Sequence, residues 1–574
     1  MNIFDEYINK ITSLIVKNKD FLELNDLNDF KGITVETPPS EYNFDLSCNA
    51  GLVLGKINNI NPKVLAKKIK ITILKDLNDF EQIEVAGAGF LNLKLTSKVL
   101  VSNINAILKN RQTFGKKKSN NTFNIEFVSA NPTGPMHVGH CRGAIFGDVL
   151  SNLLEFNGNK IVKEYYINDY GNQIKNFVKS VFLRIREIKY SEKFILQKDL
   201  YPGDYIIEIG RKIINSNKNE KFENLEKCFE LIKKDSLKIS MELIKSDLKV
   251  LGIEHNNFFS ESKLVNGKLV DKAVENLKKK NYIFEGYLDP PKGNLDKNWK
   301  KTKRLIFKST LFNDDMDRAL QKNDGSWTYF ANDVGYHMDK INRKYEYLIN
   351  ILGADHTGYI KRITAAVNAL SENKVKLDCK VCQLVKLYKN NKPFKMSKRA
   401  GEFISAKDLL NEVNKDSIRF MMLNRSNDVE LDFDFDKVLE KSKENPVFYV
   451  QYSFARINSL YKAIKKNLND EIILDEKKFL LNKDEMRILK KIFEWPKIVS
   501  IASLKYEPHR IPFYLYELAT LFHAYWSKGN DNPDFKFVEN GKMKKLETLA
   551  IINLVSVVVQ RGMAILGVSL PNKM

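Results

Sequence analysis

Hydrophobic residues change their spacing several times along the chain, and each change marks a predicted element. Residues 123–128 (FNIEFV) are mostly aromatic or β-branched, which is typical of a short buried strand. The next eight residues hold two prolines and a glycine, so they cannot continue the strand. From His140 the apolar positions recur every three or four residues and predict a helix that stops near Gly158. They are Ile145, Val149, Leu153 and Phe156. Strand, tight loop and helix predict the first unit of an open parallel sheet.

The same patterns divide the whole chain into three predicted domains. Residues 1–95 mix an amphipathic helix (Ile3, Tyr7, Ile11) with short strands and predict a small α+β domain. Residues 115–435 predict a Rossmann-like α/β domain, with a helical, lysine-rich insertion at about 180–300. From 437 to 574 nearly every segment has helical period and predicts an all-α helix bundle. Two apolar stripes carry that last prediction: Val450, Phe454, Ile457, Leu460 and Tyr461, and then Leu515, Leu518, Phe522 and Tyr525.

The loop and helix after the first strand contain the tetrad His137-Val138-Gly139-His140. Ligands of open parallel sheets lie at the carboxyl ends of the strands. A helix N-terminus suits a phosphate there, and two histidines three residues apart lie on one face and can donate to phosphate oxygens. The glycine would allow a nucleotide to come close to the backbone. The alternative is a pair of ordinary histidines that cap a helix.

A second motif, Lys395-Met396-Ser397-Lys398-Arg399, lies far downstream of the tetrad. It follows a predicted strand at residues 383–388 and a polar turn that ends at Pro393. Lysine ammonium groups on a loop suit the charge that develops on a leaving pyrophosphate. In a lysine-rich chain KxxK also arises by chance. The two motifs in this order, each after a strand, indicate an enzyme that cleaves ATP between its α- and β-phosphates.

Together these motifs resemble the class I aminoacyl-tRNA synthetases. The full string is closer to one family, the bacterial arginyl-tRNA synthetases, and the resemblance follows the family's order over nearly the whole chain. Unlike many members of that family, this chain keeps both lysines of the second motif. The segments that carry the resemblance are 124–128, 140–143, 164–173, 201–205, 328–333, 353–356 and 445–452.

The resemblance implies a two-step reaction. The carboxylate of L-arginine attacks the α-phosphate of ATP and gives arginyl-adenylate, and the 3′-terminal adenosine of tRNA-Arg then takes the arginyl group. Family members typically need bound tRNA for the first step, and Mg²⁺ accompanies the ATP phosphates. The implied catalytic residues are His137, His140, Lys395 and Lys398. The implied ATP-binding residues are Pro132, Thr133, Gly134, His137, Gly139, His140, Met396, Ser397 and Lys398.

Acidic residues near predicted strand ends agree with arginine as the substrate. A guanidinium is planar and always charged, and carboxylates hold it best in fork geometry. Each such acid could instead be a solvated loop carboxylate, and His337 could be a helix-surface residue. The resemblance implies that arginine is bound by Glu126, Asn131, Tyr329, Asp333 and Asp355.

The two terminal domains resemble the family's tRNA-binding parts. The N-terminal domain is similar to one that contacts the outer corner of tRNA, and the C-terminal bundle is similar to an anticodon-binding domain. Tyr452, Arg456 and Trp526 could stack on bases or meet phosphates, and Met574 could lie against the anticodon. The alternative is that these aromatic residues, spaced for one helix face, belong to the core.

Composition adds two expectations. There are 93 Lys and Arg against 71 Asp and Glu, a net charge of +22, which suits a polyanionic partner such as tRNA. Lysine and asparagine are abundant throughout, so base composition of the genome could also explain the charge. Cys379 and Cys382 form one CxxC with no second pair to complete four zinc ligands, so no metal site is predicted.

The start of the chain (MNIFDEY) has no basic region of the kind that opens a signal peptide, and residues 549–559 look too short to cross a bilayer. A monomeric cytoplasmic enzyme without a membrane segment is therefore expected. Three alternatives stay open: a small-metabolite adenylating enzyme, a non-catalytic RNA-binding paralogue, and a class I synthetase for another amino acid. A helical RNA-binding end, two intact ATP motifs and the acids at 126 and 333 argue against each in turn.

Overall fold

The structure is a computed structural model that describes residues 2–27, 30–39, 41–288, 302–394 and 404–574. The chain divides into two compact units. One comprises residues 1–117, 441–506 and 510–574, and the other comprises residues 118–440 and 507–509.

The N-terminal part of the first unit is an α+β domain, as predicted. Helix α1 begins after Asn2, whose side chain accepts a hydrogen bond from the Phe4 amide at 3.1 Å. The predicted stripe of Ile3, Tyr7 and Ile11 is buried. Four antiparallel strands pair in the order β1-β2-β4-β3. The elements are α1 (Ile3–Lys17), β1 (Val35–Glu36), β2 (Leu46–Cys48), α2 (Ala50–Ile57), α3 (Pro62–Asp76), β3 (Phe80–Ala86), β4 (Phe90–Leu95) and α4 (Ser97–Lys109).

The second unit is built on a five-stranded parallel sheet. The elements of its first half are β5 (Thr122–Glu126), α5 (Val138–Phe156), β6 (Lys160–Ile167), α6 (Asn172–Tyr190), α7 (Asp204–Ser216), α8 (Leu225–Val250), β7 (Asn257–Ser260), α9 (Ser262–Asn266) and α10 (Leu269–Lys279). Those of its second half are β8 (Ile283–Gly286), β9 (Arg304–Phe307), β10 (Arg318–Ala319), α11 (Tyr329–Asn342), β11 (Tyr347–Gly353), α12 (Ile360–Ser371), β12 (Lys376–Cys382), β13 (Val385–Lys389), β14 (Lys392–Pro393), α13 (Ala406–Glu412), α14 (Lys415–Met421), β15 (Leu431–Asp434) and α15 (Phe435–Leu439).

The strand order of the parallel sheet positions the site. The order is β12-β11-β5-β6-β7, and all four pairings are parallel. The sheet starts at its central strand β5 and is extended on one side by β6 and β7. The chain then returns to the other side of β5, where β11 and β12 complete the sheet. This is the doubly wound arrangement predicted from the sequence, and its switch point lies between β5 and β11, where Glu126 is the register partner of Asn350.

The predicted helical insertion is shorter than expected. Helices α6, α7 and α8 end at Val250, and Asn257–Ser260 then forms β7, an edge strand of the central sheet. The predicted insertion, which ended near residue 300, therefore included a strand that belongs to the central sheet. The physical reason is that β7 has only four residues and gains its pairing from β6, so its local sequence carries no two-residue period.

The C-terminal part of the first unit is helical, as predicted. Both predicted stripes, residues 450–461 and 515–525, are buried. The elements are α16 (Pro446–Ala463), α17 (Lys483–Lys505), α18 (Arg510–Asp531), the hairpin strands β16 (Val538–Glu539) and β17 (Lys542–Met543), and α19 (Leu546–Leu566).

Helix α19 is the one described helix long and apolar enough to cross a bilayer by length and composition. The helix has 21 residues and continues through the polar pair Gln560 and Arg561, so the expectation that this stretch is too short was wrong. Of its most apolar window, 83% is buried within the protein. A helix that is apolar on all sides and buried in this way is a core helix of its bundle.

Candidate active site

A strained turn follows β5 and opens the site. Val128 and Ser129 both have positive φ, 70° and 40°, and the Ser129 amide donates to the Phe127 carbonyl two residues back at 3.0 Å. A γ-turn of this hand costs about 1–3 kcal/mol and persists only where its surroundings hold it. Two neighbours do so: the buried Tyr165 hydroxyl donates to the Ala130 carbonyl at 2.7 Å, and the Tyr166 amide donates to Ser129 Oγ at 3.0 Å.

The tetrad histidines form the start of α5. His137 is the N-cap, and its Nδ1 accepts from the Gly139 amide at 3.1 Å; His140 Nδ1 accepts from the His137 amide at 3.3 Å. Because both Nδ1 atoms accept, the neutral rings carry their hydrogen on Nε2. The rings stack with centroids 3.7 Å apart. Burial lowers the pKa of both imidazoles, and for His140, where His137 adds repulsion, the pKa falls to about 4. Both are therefore neutral donors near pH 7.

Glycine at position 139 is required by the packing of the tetrad, in addition to the expected close approach of a nucleotide. A Cβ at this position would lie 2.9 Å from the His137 ring, so the glycine makes room for that imidazole. The first amides of α5 also have partners within the protein, since Val138 donates to the Ile404 carbonyl at 2.9 Å and His140 to the His137 carbonyl at 2.9 Å. A phosphate here would therefore meet the imidazole donors rather than unpaired helix amides.

Residues 395–403 lie outside the described part of the chain, and with them the predicted Lys395, Met396, Ser397 and Lys398. The described residues on either side are fixed. Phe394 donates its amide to the Leu387 carbonyl at 2.7 Å. Ile404 accepts from Val138, and the Ala406 amide donates to the Met136 carbonyl at 2.9 Å. The chain thus re-enters the described structure beside the tetrad.

A buried guanidinium ties α5 to the strands around that segment. Arg142 is 2% exposed and donates from Nη1 to the carbonyls of Gln383 (2.9 Å) and Val429 (2.7 Å), and from Nη2 to that of Ser426 (2.7 Å). Gln383 precedes β13, and the other two carbonyls precede β15. Three charge-assisted hydrogen bonds from one side chain fix the tetrad helix against both loops.

A cavity of about 480 Å³ lies at the switch point of the sheet. Two acids predicted from the sequence, Glu126 and Asp333, line it together, and Tyr329 lies at its edge. A third acid, Glu261, also lines it. Sequence reasoning missed Glu261, although it directly follows the end of β7, as Glu126 ends β5. Further lining residues include Ser129, Tyr166, Tyr336, His337, Asn350 and Tyr359.

Burial raises the proton affinity of two of the acids that line this cavity. Burial raises the pKa of Asp333 to about 7, with Glu126 and Glu261 adding repulsion and the Tyr359 hydroxyl, which donates to its carboxylate, acting against the rise. Burial likewise raises the pKa of Glu261 to about 7, with repulsion from Asp169. Raised carboxyl pKa values in a concave site are typical of functional residues.

Glu126 has a built-in partner that the sequence did not predict. Lys340, whose side chain is 0% exposed, places Nζ 2.6 Å from Glu126 Oε2 and 3.2 Å from Asn350 Oδ1. His337, set aside as a possible surface residue, is 3% exposed and bonds Asn350 and the Asp333 carbonyl. Lys340 and His337 follow Asp333 at helical spacing on α11, but no local signal shows that this face turns toward the sheet.

Two predicted arginine ligands lie away from the cavity. Asp355 has a side chain that is 81% exposed and pairs with His356 at 3.4 Å, because a 3-10 turn after β11 directs it outward. Asn131 is exposed on the loop before α5 and does not line the cavity. The structure thus does not bring Asn131 or Asp355 to the acids. Pro132, Thr133 and Gly134 lie on the same loop, where a Cβ on Gly134 would meet the Tyr205 ring at 3.0 Å.

A second cavity, of about 590 Å³, adjoins the first and shares Glu261, Tyr329 and Asn332 with it. Tyr329 is 75% exposed and stands between the two. The second cavity has both charged and aromatic lining. Its lining includes Lys175, Lys233, Lys322, Asp169, Phe229 and Trp327.

The predicted tRNA-binding residues of the helical part form one cluster. The Arg456 guanidinium lies 4.4 Å from the Tyr452 ring centroid and 5.5 Å from that of Trp526, and it contacts His523 Nδ1 at 2.9 Å. Both rings are half-buried, so they are partly core, as the alternative held, and partly surface. Met574 is 47% exposed.

Comparisons with known proteins extend over the whole chain. Residues 4–95 match the family described as arginyl tRNA synthetase N terminal domain, residues 103–462 the one described as tRNA synthetases class I (R), catalytic domain, and residues 450–574 the one described as DALR anticodon binding domain. The arginine–tRNA ligase of Pelagibacter ubique is 51% identical over the full length of both chains.

The chain belongs to the arginyl-tRNA synthetase family. A second relative, the arginine–tRNA ligase of Bartonella bacilliformis, is 42% identical, again over all of both chains. Among solved structures, the arginyl-tRNA synthetase of Thermus thermophilus shares the fold, with a TM-score of 0.73, 18% identity and coverage of 99% of this chain and 100% of that one. The three-domain architecture of this synthetase, with a class I catalytic domain and a helical C-terminal domain, is thereby confirmed.

As a member of that family the protein is an aminoacyl-tRNA ligase, with ATP, arginine and tRNA as its substrates. The predicted activity is confirmed at that level, and the three alternatives are not supported. The arginyl-tRNA synthetases it matches are translation enzymes.

Proposed function

We propose that the cavity at the switch point binds L-arginine and that the tetrad binds ATP beside it. The observation that carries this proposal is the meeting of Glu126, Asp333 and Glu261 in one cavity at the end of the strand that leads to His137 and His140. A cavity lined by three acids favours a cationic ligand, and a planar fork of donors suits two carboxylates better than an ammonium does.

In the first step the arginine carboxylate attacks the α-phosphorus of ATP, the bond to the bridging oxygen breaks, and pyrophosphate leaves with that oxygen. His137 and His140 donate from Nε2 to phosphate oxygens as negative charge moves toward the leaving group. Lys395 and Lys398 neutralise the pyrophosphate. Lys398 precedes Ile404 by six positions, so the two Cα atoms lie within about 22 Å of each other even if the chain between them is fully extended. The motif therefore joins the tetrad region through a short covalent connection.

Mg²⁺ enters with ATP in this proposal. The described residues contain no group of three or more His, Cys, Asp or Glu side chains that could hold a metal ion. The chemistry of the ion fits that finding, because Mg²⁺ keeps several waters and is commonly bound through substrate phosphates with few protein ligands. When bound, the ion would neutralise phosphate charge.

We infer that the second cavity takes the 3′ end of tRNA. It shares Glu261, Tyr329 and Asn332 with the arginine cavity, so a nucleoside there would lie next to the activated carbonyl. Trp327 and Phe229 offer faces for a base, and the lysines offer charge to phosphates. In the second step the terminal ribose hydroxyl attacks the arginyl carbonyl carbon, and AMP leaves.

The Tyr452, Arg456 and Trp526 cluster is proposed to contact tRNA with its exposed edges, because Arg456 already covers one face of both rings. Met574 is assigned to the same contact. A monomeric enzyme in the cytoplasm completes the proposal; five cysteines without a disulfide are compatible with a reducing compartment.

A charging assay tests the proposed function. The purified chain is mixed with ATP, Mg²⁺, tRNA-Arg and each of the twenty amino acids, with citrulline added as an uncharged analogue of arginine. Arginine alone is expected to be esterified. Esterification of lysine or a neutral amino acid in its place would overturn the assignment of the three acids to a guanidinium.

The KM for arginine is expected to fall as the pH rises from about 6 to about 8. Asp333 and Glu261, with pKa values of about 7, are mostly protonated and neutral at the lower pH, and a cation binds best to their ionised forms. One such carboxyl accounts for about a tenfold change across this range. Arginine-dependent pyrophosphate exchange, measured at saturating ATP with tRNA present, provides the KM. A constant KM between pH 6 and 8 would contradict the link.

Affinity for tRNA is expected to fall at least about tenfold between 50 and 200 mM salt. Lysines that neutralise phosphates release bound counterions, and this release is less favourable when the salt concentration of the solution is higher. Filter binding of tRNA-Arg over this range measures the slope. A flat response would show that the charge of +22 reflects composition bias.

A further inference from the structure

A series of hydrogen bonds joins the Glu126 carboxylate to the Asp333 backbone through three buried side chains. His337 Nδ1 bonds the backbone carbonyl of Asp333 at 2.8 Å, and Asn350 Nδ2 bonds His337 Nε2 at 2.9 Å. Lys340 Nζ donates to Asn350 Oδ1 at 3.2 Å and to Glu126 Oε2 at 2.6 Å. These hydrogen bonds connect α11, β11 and β5, the three elements that meet at the switch point.

The ammonium of Lys340 sets the direction of every bond in this chain. An ammonium only donates, so Asn350 must turn its oxygen to Lys340 and its NH₂ to His337. His337 Nε2 then accepts, which leaves the ring hydrogen on Nδ1, where it donates to Asp333. Burial and the nearby Lys340 lower the pKa of His337 to about 3, so the ring stays neutral and keeps this tautomer.

This buried series of hydrogen bonds costs free energy if its only role is to stabilise the fold. Lys340, Asn350 and His337 are each at most 6% exposed, and an ammonium buried without full compensation costs several kcal/mol. An apolar packing of similar volume would often be at least as stable. What the polar arrangement adds is orientation. It fixes one oxygen of Glu126 and the backbone of Asp333, while Ser129 Oγ contacts the other oxygen of Glu126 at 3.3 Å.

We propose that Lys340, Asn350 and His337 form a positioning relay that holds Glu126 and Asp333 at the spacing and orientation a guanidinium requires. This inference rests on the proposed function of the cavity. A guanidinium fork needs two acceptors in fixed positions, whereas an ammonium with three rotatable donors tolerates displacement. The relay therefore contributes to selection of arginine over lysine, although none of its three members is assigned a contact with the substrate.

The test breaks the relay at its middle. Asn350→Leu removes both bonds of the amide, and Asn350→Asp keeps the volume and the oxygen toward Lys340 but removes the donor to His337. The matched control is Asn124→Leu. Asn124 is a fully buried asparagine on the adjacent strand β5, and its amide donates at 3.0 Å to Glu164, which lies outside the cavity lining.

Pyrophosphate exchange with tRNA present measures the KM for arginine, the KM for ATP and the inhibition constant of lysine. Asn350→Leu is expected to raise the KM for arginine about tenfold and to leave the KM for ATP within about twofold. Both Asn350 variants are expected to reduce the ratio of the lysine inhibition constant to the arginine KM about tenfold, because the charge that Asn350→Asp adds acts on both cations and cancels in this ratio. Asn124→Leu is expected to lower the thermal midpoint while leaving that ratio unchanged.

The relay is refuted if the Asn350 variants lower the thermal midpoint as Asn124→Leu does and leave the ratio unchanged. Asn350→Asp preserves the side-chain volume, so it keeps the test available if the leucine variant does not fold. Failure of the relay is distinct from failure of the proposed function. If Asp333→Asn raises the KM for arginine and the Asn350 variants leave the ratio unchanged, only the relay is wrong. If neither change matters, the arginine cavity itself is wrong.

Discussion

Asp333→Asn is expected to raise the KM for arginine about a hundredfold while the KM for ATP stays within about twofold. The substitution keeps the size of the side chain and removes a negative charge that faces a cationic substrate in a partly buried cavity. Removing one partner of such a hydrogen-bonded charge pair costs about 2–5 kcal/mol, and each 1.4 kcal/mol corresponds to a tenfold change in affinity. Arginine-dependent pyrophosphate exchange with tRNA present, or calorimetric titration with arginine, measures the effect.

Asp355→Asn is the matched control. The resemblance assigned both acids to arginine, but only Asp333 lines the cavity, whereas the Asp355 side chain is 81% exposed. Asp355→Asn should therefore change the KM for arginine by no more than about twofold. Equal losses of arginine and ATP affinity in Asp333→Asn, or a large effect of Asp355→Asn alone, would show that the guanidinium lies elsewhere.

Lys398→Ala is expected to slow adenylate formation by about 10²–10³-fold, with little change in arginine binding. An ammonium that meets charge on the departing pyrophosphate acts mainly in the transition state, and loss of one such donor has an effect of about this size. Lys398 lies outside the described residues. The support for its role is the nearby Ile404, whose carbonyl accepts a hydrogen bond from the Val138 amide of the tetrad. Single-turnover formation of arginyl-adenylate measures the rate.

Lys392→Ala provides the control for loss of charge. Lys392 lies on β14, shortly before the same segment, and its side chain is exposed. Its removal subtracts one positive charge from the neighbourhood without taking a group from the proposed pyrophosphate contact. A rate for Lys398→Ala as high as that of Lys392→Ala would remove the lysine motif from the mechanism.

Much of the fold could be predicted because its signals are local. The strand near residue 125 shows in a short run of aromatic and β-branched residues. The helix after the tetrad and the apolar stripes of α16 and α18 show in a helical period within a few turns. The edge strand β7 could not be recognised in this way, because four residues between helices become a strand only through pairing with β6.

The candidate site divides in the same way. Glu126 and Asp333 could be predicted because they belong to segments that resemble the family, and Glu261 could have been found as an acid that follows a strand. The sequence could not predict the roles of Lys340, Asn350 and His337, because those roles depend on contacts between distant parts of the chain. A lysine on α11 contacts an asparagine on β11 only after the sheet has formed. Asp355 was predicted from its place after β11, but the turn there points its carboxylate to solvent.

In the proposed mechanism one crevice holds the guanidinium of arginine at its acids and the phosphates of ATP at its histidines. A crystal structure with 5′-O-[N-(L-arginyl)sulfamoyl]adenosine, a stable analogue of arginyl-adenylate, tests it most directly. We expect the guanidinium within hydrogen-bond distance of the Asp333 carboxylate and the sulfamoyl group within hydrogen-bond distance of Nε2 of His137 or His140. A guanidinium directed away from Glu126 and Asp333, or a sulfamoyl group remote from both imidazoles, would contradict it.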